Sequence, residues 1–254
     1  MAEGIIVNIP APGEPKTYAI AYLDLLGTTS KISKDENNLY LYKIHSIYDM
    51  AVKSSGKDGF SKLGFNRIET KIFSDNIVVA IPLDPGHEVT DVSCLLKFVA
   101  IIQNHATISS NWLVRGGVTI GELYIDNVLV WGKGLVRAYE LENHIAVFPR
   151  IVIDRNVLGL FETDDRAFCR DIDGQFYLNF LEFMEYRDAN GMDDFLPQIR
   201  SHFEKLLSEI KMPTGNYAER PYQKLNWYRS YINAWYREKH PNTMILPIDG
   251  SIMP

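Results

Sequence analysis

The sequence predicts an α+β fold of ferredoxin-like βαββαβ order, extended by helices toward its C-terminal end. Three observations carry this reading. A mostly apolar run, Tyr18 to Leu23, ends in a carboxylate at Asp24. An alternating run and a continuous apolar run flank the turn formers Ser74-Asp75-Asn76. Apolar residues recur at helical spacing between and after these runs.

Taken in order, residues 1 to 16 are punctuated by Pro and Gly and are expected to be a poorly ordered lead-in. Tyr18 to Asp24 reads as a buried strand that delivers Asp24 to its C-terminal end, and Leu25 to Thr29 as a small-residue turn. Leu39 to Lys53 is apolar at 40, 44, 47, 48 and 51, which predicts a helix. Arg67 to Phe73 and Ile77 to Ile81 form a hairpin with Asp75 at its tip, closed off by Pro82 and Pro85. Val89 to Asn111 is a second helix, with Val92, Leu95, Leu96, Val99 and Ile102 on one face. Trp112 to Gly121 and Glu122 to Trp131 read as β structure with a turn at Asp126-Asn127, followed by a helix over Gly132 to Val147 and a strand over Arg150 to Asp154. Residues 17–155 thus make a core, and 156–254 an extension packed on it. In that extension Phe168 to Phe183 suggests a hairpin around Asp171 to Gly174. Two helices follow, Asp194 to Lys211 and Tyr222 to Lys239, the latter loaded with Trp227, Tyr228, Tyr231, Trp235 and Tyr236.

Composition narrows the function. With 26 Lys+Arg against 32 Asp+Glu, the 254-residue chain carries a formal charge of -6, which argues against a passive nucleic-acid binder. A nucleotide substrate remains compatible where bound metal supplies positive charge. The two cysteines, Cys94 and Cys169, cannot build a disulfide framework or a Cys-based zinc site. The N-terminus does not read as a secretory signal, and no stretch approaches the roughly 18 apolar residues of a membrane span. The expectation is a cytoplasmic protein that binds neither nucleic acid nor membrane.

The chemistry-bearing feature is the pair Asp24 and Asp75. If their strands are neighbours, two hard oxygen ligands converge at one edge, suited to Mg²⁺ or Mn²⁺ that keep substrate phosphates and water as further ligands. Read on spacing alone, both could equally be turn residues. Gly27-Thr28-Thr29 supplies unobstructed backbone N–H groups of the kind that cradle a triphosphate. No Walker A loop, G-x-G-x-x-G, H-E-x-x-H or G-x-S-x-G occurs, and the six histidines show no zinc-like spacing.

As an ordered set, three segments resemble class III nucleotidyl cyclases, the adenylate and guanylate cyclase family. YAIAYLDLLGTT resembles the first metal-binding strand and KIFSDNIVVAIP the hairpin with the second metal aspartate. LVRGGVTIGELYIDNVLVWGKGLVRAYELENHIAVFPRIVID resembles the later strand, helix and strand. The likeness covers about residues 17 to 155 and is greatest to the bacterial Pycsar branch of uridylate and cytidylate cyclases, which act in anti-phage defence.

The resemblance implies a catalytic core in which Asp24 and Asp75, with the Leu25 carbonyl, bind two Mn²⁺ or Mg²⁺ ions. It implies that Leu26, Gly27 and Thr28 hold phosphate through their N–H groups. The ribose 3′-hydroxyl then attacks the α-phosphate and expels pyrophosphate. Lys71, four residues before Asp75, falls where purine cyclases read the base, and Tyr48 is a candidate base contact. The sequence departs from the purine pattern where Asn and Arg would orient ribose and stabilise the transition state. Val136 and Glu140 stand there and cannot donate in the same way. Arg137 and Arg115 are the candidates to replace them, each with an alternative reading as a purely structural arginine. A homodimer with sites at its interface is implied, as is a product that diffuses to a cyclic-nucleotide effector. The expected reaction is UTP to 3′,5′-cyclic UMP, with CTP the near alternative. A catalytically silent NTP-binding dimerisation module competes with both. A palm-type polymerase or dinucleotide cyclase is disfavoured, because the hairpin tip reads FSDN rather than GG[DE][DE]F.

Overall fold

Alternation along β1 (Lys16–Leu25) decides its place. Ala19, Ala21, Leu23 and Leu25 enter one apolar layer, and Tyr18 and Ile20 enter a second on the opposite face. A strand buried on both faces belongs inside a sheet. Accordingly, β1 pairs antiparallel with β3 (Asn76–Pro82) on one side and β4 (Val114–Ile125) on the other. β2 (Glu69–Phe73) lies outside β3 as its hairpin partner. The computed structural model describes residues 13–55, 64–162, 165–185, 195–212, 214–216, 218–239 and 246. Most of the expected lead-in, residues 1–12, lies outside them.

Between the strands run a single-turn helix α1 (Thr28–Ile32), α2 (Leu39–Ser54) and α3 (Glu88–Asn104). The strand order β2-β3-β1-β4, with α2 and α3 as crossovers, is the expected βαββαβ arrangement. The sheet continues past β4 through a parallel β6 (Ile151–Ile153) to β8 (Phe176–Leu178) and β7 (Phe168–Arg170). The C-terminal hairpin is therefore built into the same sheet as the core. A short β5 (Val130–Trp131) folds back on the end of β4. α4 (Lys133–Glu140) covers the second face, with Ala138 packed among Tyr18, Ile20 and Val78. α5 (Arg155–Leu158) and α6 (Phe180–Glu185) are short. α7 (Phe195–Ile210) and α8 (Glu219–Lys239) complete the chain's described helices.

Several expectations need correction. The strands read at 112–121 and 122–131 are one continuous strand to Ile125, then a turn at 126–129 and two residues of β5. Gly121 does not break it, because β1 pairs with β4 residue by residue from Leu25↔Val114 to Lys16↔Leu123. That ladder outweighs glycine's weak strand preference. The hairpin read around Asp171 to Gly174 is formed by β7 and β8, but its second arm ends at Leu178, and Phe180 to Glu185 is helix. Two helices end in wider π-helical turns, His105–Ser109 after α3 and Leu141–Ile145 after α4. By length and composition alone, Glu88–Ser109 would suffice to cross a membrane, contrary to the reading that no stretch does. Its apolar side is consumed inside the fold, where Val92, Leu95, Leu96, Val99 and Ile102 are fully covered.

Candidate active site

Strand register assembles the site. Asp24, near the end of β1, sits opposite Asn76 of β3 and Arg115 of β4. The Leu25 N–H donates to the Asp75 carbonyl at 3.1 Å, stitching the hairpin tip to the end of β1. Asp24 and Asp75 thus stand on neighbouring chain segments at one end of the sheet. Because side chains alternate, Asp24 shares the face of Tyr22, Ile20 and Tyr18, the face that α4 covers.

Arg115 is fixed between two carboxylates. Its Nε donates to Asp24 Oδ2 at 2.8 Å, and a terminal nitrogen lies 2.7 Å from Glu142 Oε1. Glu142 belongs to the π-helical turn after α4 and is 3% exposed. Burial lifts its carboxyl to about 7; Arg115 opposes that rise, while Asp24 and Asp75 add to it. The close approach depends on Gly117: a Cβ there would fall 2.4 Å from Leu141 Cβ and 2.6 Å from the Ala138 carbonyl. One Arg therefore pairs with two of the three acids gathered here, an arrangement short of positive charge.

Tyr48 reaches the same corner from α2, its hydroxyl donating to the Ser74 carbonyl at the hairpin tip. Burial, then Asp75 and Asp24, push its phenol well above the ordinary value. Tyr22 is likewise raised, by burial first and then by Glu142 and Asp24, and meets Tyr139 of α4 edge-on at 5.5 Å. Gly27 adopts φ +82, a left-handed conformation that favours glycine, and opens α1. Thr28 Oγ1 donates to the Leu25 carbonyl at 2.7 Å and so fixes that oxygen's direction. The Leu26 N–H already donates to the Leu113 carbonyl at 2.9 Å, so Gly27 and Thr28 are the donors this turn can turn toward an anion.

Lys71 pairs in register with Val78, which pairs with Tyr22. It therefore shares Asp24's face of the sheet, two residues farther from the tip. Arg137 is elsewhere. It grips Asp154 with two bonds, 2.8 and 2.9 Å, and sits 3.6 Å from Glu140, whereas Arg115 alone of the two arginines touches Asp24. Val136 and Glu140 are exposed on α4. Sequence reasoning missed Tyr22, two residues before Asp24 and hence on its face, and Glu142, whose approach depends on Gly117.

The donor set suits hard cations. Asp24, Asp75 and the Leu25 carbonyl offer only oxygen, matching Mg²⁺ or Mn²⁺. Among the described residues no three His, Cys, Asp or Glu side chains form a metal-holding group, so further ligands would have to come from substrate and water.

No protein-family model and no curated protein sequence matches the chain. Solved structures do. A class III adenylyl cyclase-like ATP-binding protein from Pseudomonas aeruginosa aligns at 11% identity with a TM-score of 0.50, over 68% of this chain and 41% of that one. The guanylyl cyclase Cya2 aligns at 12% identity and a TM-score of 0.45, over 66% of this chain and 93% of that one. An adenylate/guanylate cyclase/hydrolase from Silicibacter pomeroyi aligns at 16% and 0.40, over 65% and 96%. At such low identity the first of these speaks for the fold alone. The mixed α+β sheet with its crossover helices is the class III cyclase fold.

Proposed function

We propose that the chain is a pyrimidine nucleotidyl cyclase that converts UTP to 3′,5′-cyclic UMP and pyrophosphate, with CTP the alternative substrate. The observation that carries the cyclase chemistry is the convergence of Asp24 and Asp75 at neighbouring strand ends, beside the Gly27 turn, in a class III cyclase fold; the pyrimidine substrate rests on the sequence resemblance to the Pycsar branch.

Asp24, Asp75 and the Leu25 carbonyl would hold two divalent ions, which when bound neutralise phosphate and favour ionisation of the ribose 3′-hydroxyl. The Gly27 and Thr28 N–H groups orient the phosphates. The 3′-oxygen forms a bond to the α-phosphorus as the bond to the pyrophosphate oxygen breaks, and the hydroxyl proton passes to solvent water. Arg115, held between Asp24 and Glu142 beside the turn, is assigned to the developing charge on phosphate. Lys71 is assigned to the base and Tyr48 to holding the hairpin tip beside it. Uracil and cytosine differ by a carbonyl against an amino group, so one donor-or-acceptor choice separates the two substrates. A homodimer completes the site; Val128, Trp131, Val136 and Tyr139, all exposed around β5 and α4, support that reading. The product would act on a cyclic-nucleotide effector in anti-phage defence, in the cytoplasm.

A second reading is a silent NTP-binding module. It is favoured by Arg137 being committed to Asp154, which takes the arginine of α4 away from the transition state. Asp24→Asn and Asp75→Asn separate the two. The cyclase reading expects each to lower turnover by at least about a hundredfold with an unchanged melting temperature. Turnover equal to that of the unaltered protein, or loss of the folded state, would contradict it.

A further inference from the structure

A cavity of about 340 Å³ opens between the Leu26-Gly27 turn, α1 and the two C-terminal helices. Four cationic side chains line it, Lys31 and Lys34 from the core and Arg220 and Lys224 from α8, against one carboxylate, Glu209 of α7. Glu209 is already matched to Lys31 at 2.6 Å. Among the described residues, neither Arg220 nor Lys224 has a carboxylate within salt-bridge distance. In a chain of net charge -6, this is a local excess of positive charge beside the turn assigned to phosphate.

Lys224 joins the cavity to the carboxylate corner. It is partly buried, and Asp24, Glu142, Arg115 and Arg220 all act on it electrostatically. A partly buried ammonium with no carboxylate at salt-bridge distance is costly, and an anion in the cavity would relieve that cost. The register of α8 is not loose. Trp227, one turn beyond Lys224, donates through Nε1 to Asp171 Oδ2 at 2.8 Å and stacks on Phe148, and Asp171 is itself bound to the buried Arg150. Leu225 and Tyr228 are buried on either side.

We propose that Lys224 and Arg220 bind the β- and γ-phosphates of the nucleotide, so that the C-terminal extension supplies anion-binding cations while Arg137 of α4 is held by Asp154. The proposal rests on the nucleotide site read above, and it gives the extension a direct part in substrate binding. Because the same two side chains hold the leaving pyrophosphate, inorganic polyphosphate should compete for them.

The test uses the full chain with Mg²⁺ and inorganic tripolyphosphate, titrated calorimetrically. Lys224→Gln should weaken binding about tenfold and Lys224→Gln with Arg220→Gln about a hundredfold, with melting temperatures unchanged. Lys224→Arg should restore most of the affinity, as a purely structural lysine would not require. If no NTP is turned over but these losses appear, the anion site stands and the cyclase reading falls. If NTP is turned over and Lys224→Gln changes neither tripolyphosphate affinity nor KM, the anion site is overturned and the cyclase reading stands. Failure of the unaltered chain to bind tripolyphosphate also overturns it.

Discussion

Buried charge is settled differently at the carboxylate corner and at the seam where the C-terminal helices meet the core. At the seam the two most deeply buried cations, Lys31 and Arg150, each have carboxylate partners. Lys31, 8% exposed, bonds Glu209 and the Asn111 carbonyl and lies over the rings of Tyr40 and Trp112. Asn111 bonds Glu209 at 2.9 Å and His202 at 2.8 Å. Arg150, 1% exposed, is held by Asp171 and Asp173. At the corner, Asp24 and Glu142 share one salt-bridged cation, Arg115, and Asp75 has none at salt-bridge distance among the described residues. These partnered charges fix one docking of α7 and α8. The corner is left under-neutralised, which costs stability and prepares it for cations.

The largest expected effect tests the seam. Arg150→Ala would strand Asp171 next to Trp227 and leave a partly buried acid without its cation. A loss of about 3 kcal/mol in denaturant unfolding is expected. A loss under about 0.5 kcal/mol would mean the seam does not hold the extension. A smaller effect sets the two regions against each other in pH. Burial, and then Lys31 and Lys205, hold the His202 ring down at about 3, so it folds neutral. Its unfolded form takes up a proton near the ordinary value, so its contribution is present above about pH 6.5 and is lost as pH falls toward 3. Glu142 has the opposite sign. Raised to about 7, it contributes stability below the ordinary carboxylate range that is lost as pH climbs through 7. Without metal, His202→Gln should flatten the acid limb of the melting curve and Glu142→Gln the limb between about pH 5 and 7, each by about 2–4 °C. Identical limbs in both variants would erase the contrast.

The two regions also differ in how far the sequence discloses them. The corner is largely local: apolar runs place β1 and β3, turn formers place Asp75, and period-two alternation puts Tyr22 and Asp24 on one face. Gly116 and Gly117 hint at close packing, but not that Glu142 is what approaches. The seam depends on contacts between distant segments, Lys31 with Glu209 and Asp171 with Trp227. No spacing rule announces these, because they are fixed by how amphipathic helices dock rather than by local pattern. Arg137 shows the same limit. Its helix is legible, but its partner Asp154 belongs to the strand end that parallel pairing of β6 brings alongside β4. Lys224 lies in a helix the sequence does identify, yet the pull of Asp24 on its charge appears only once that helix is docked.

The central claim is that an under-neutralised corner, once filled with cations, cyclises a pyrimidine nucleotide. The direct measurement incubates the purified chain with Mn²⁺ and each of ATP, GTP, CTP and UTP and resolves the products by chromatography and mass. The account predicts a 3′,5′-cyclic pyrimidine mononucleotide with equimolar pyrophosphate, UTP leading and CTP second. Cyclic product from ATP or GTP alone would contradict the pyrimidine assignment, and no cyclic product from any of the four would contradict the enzyme.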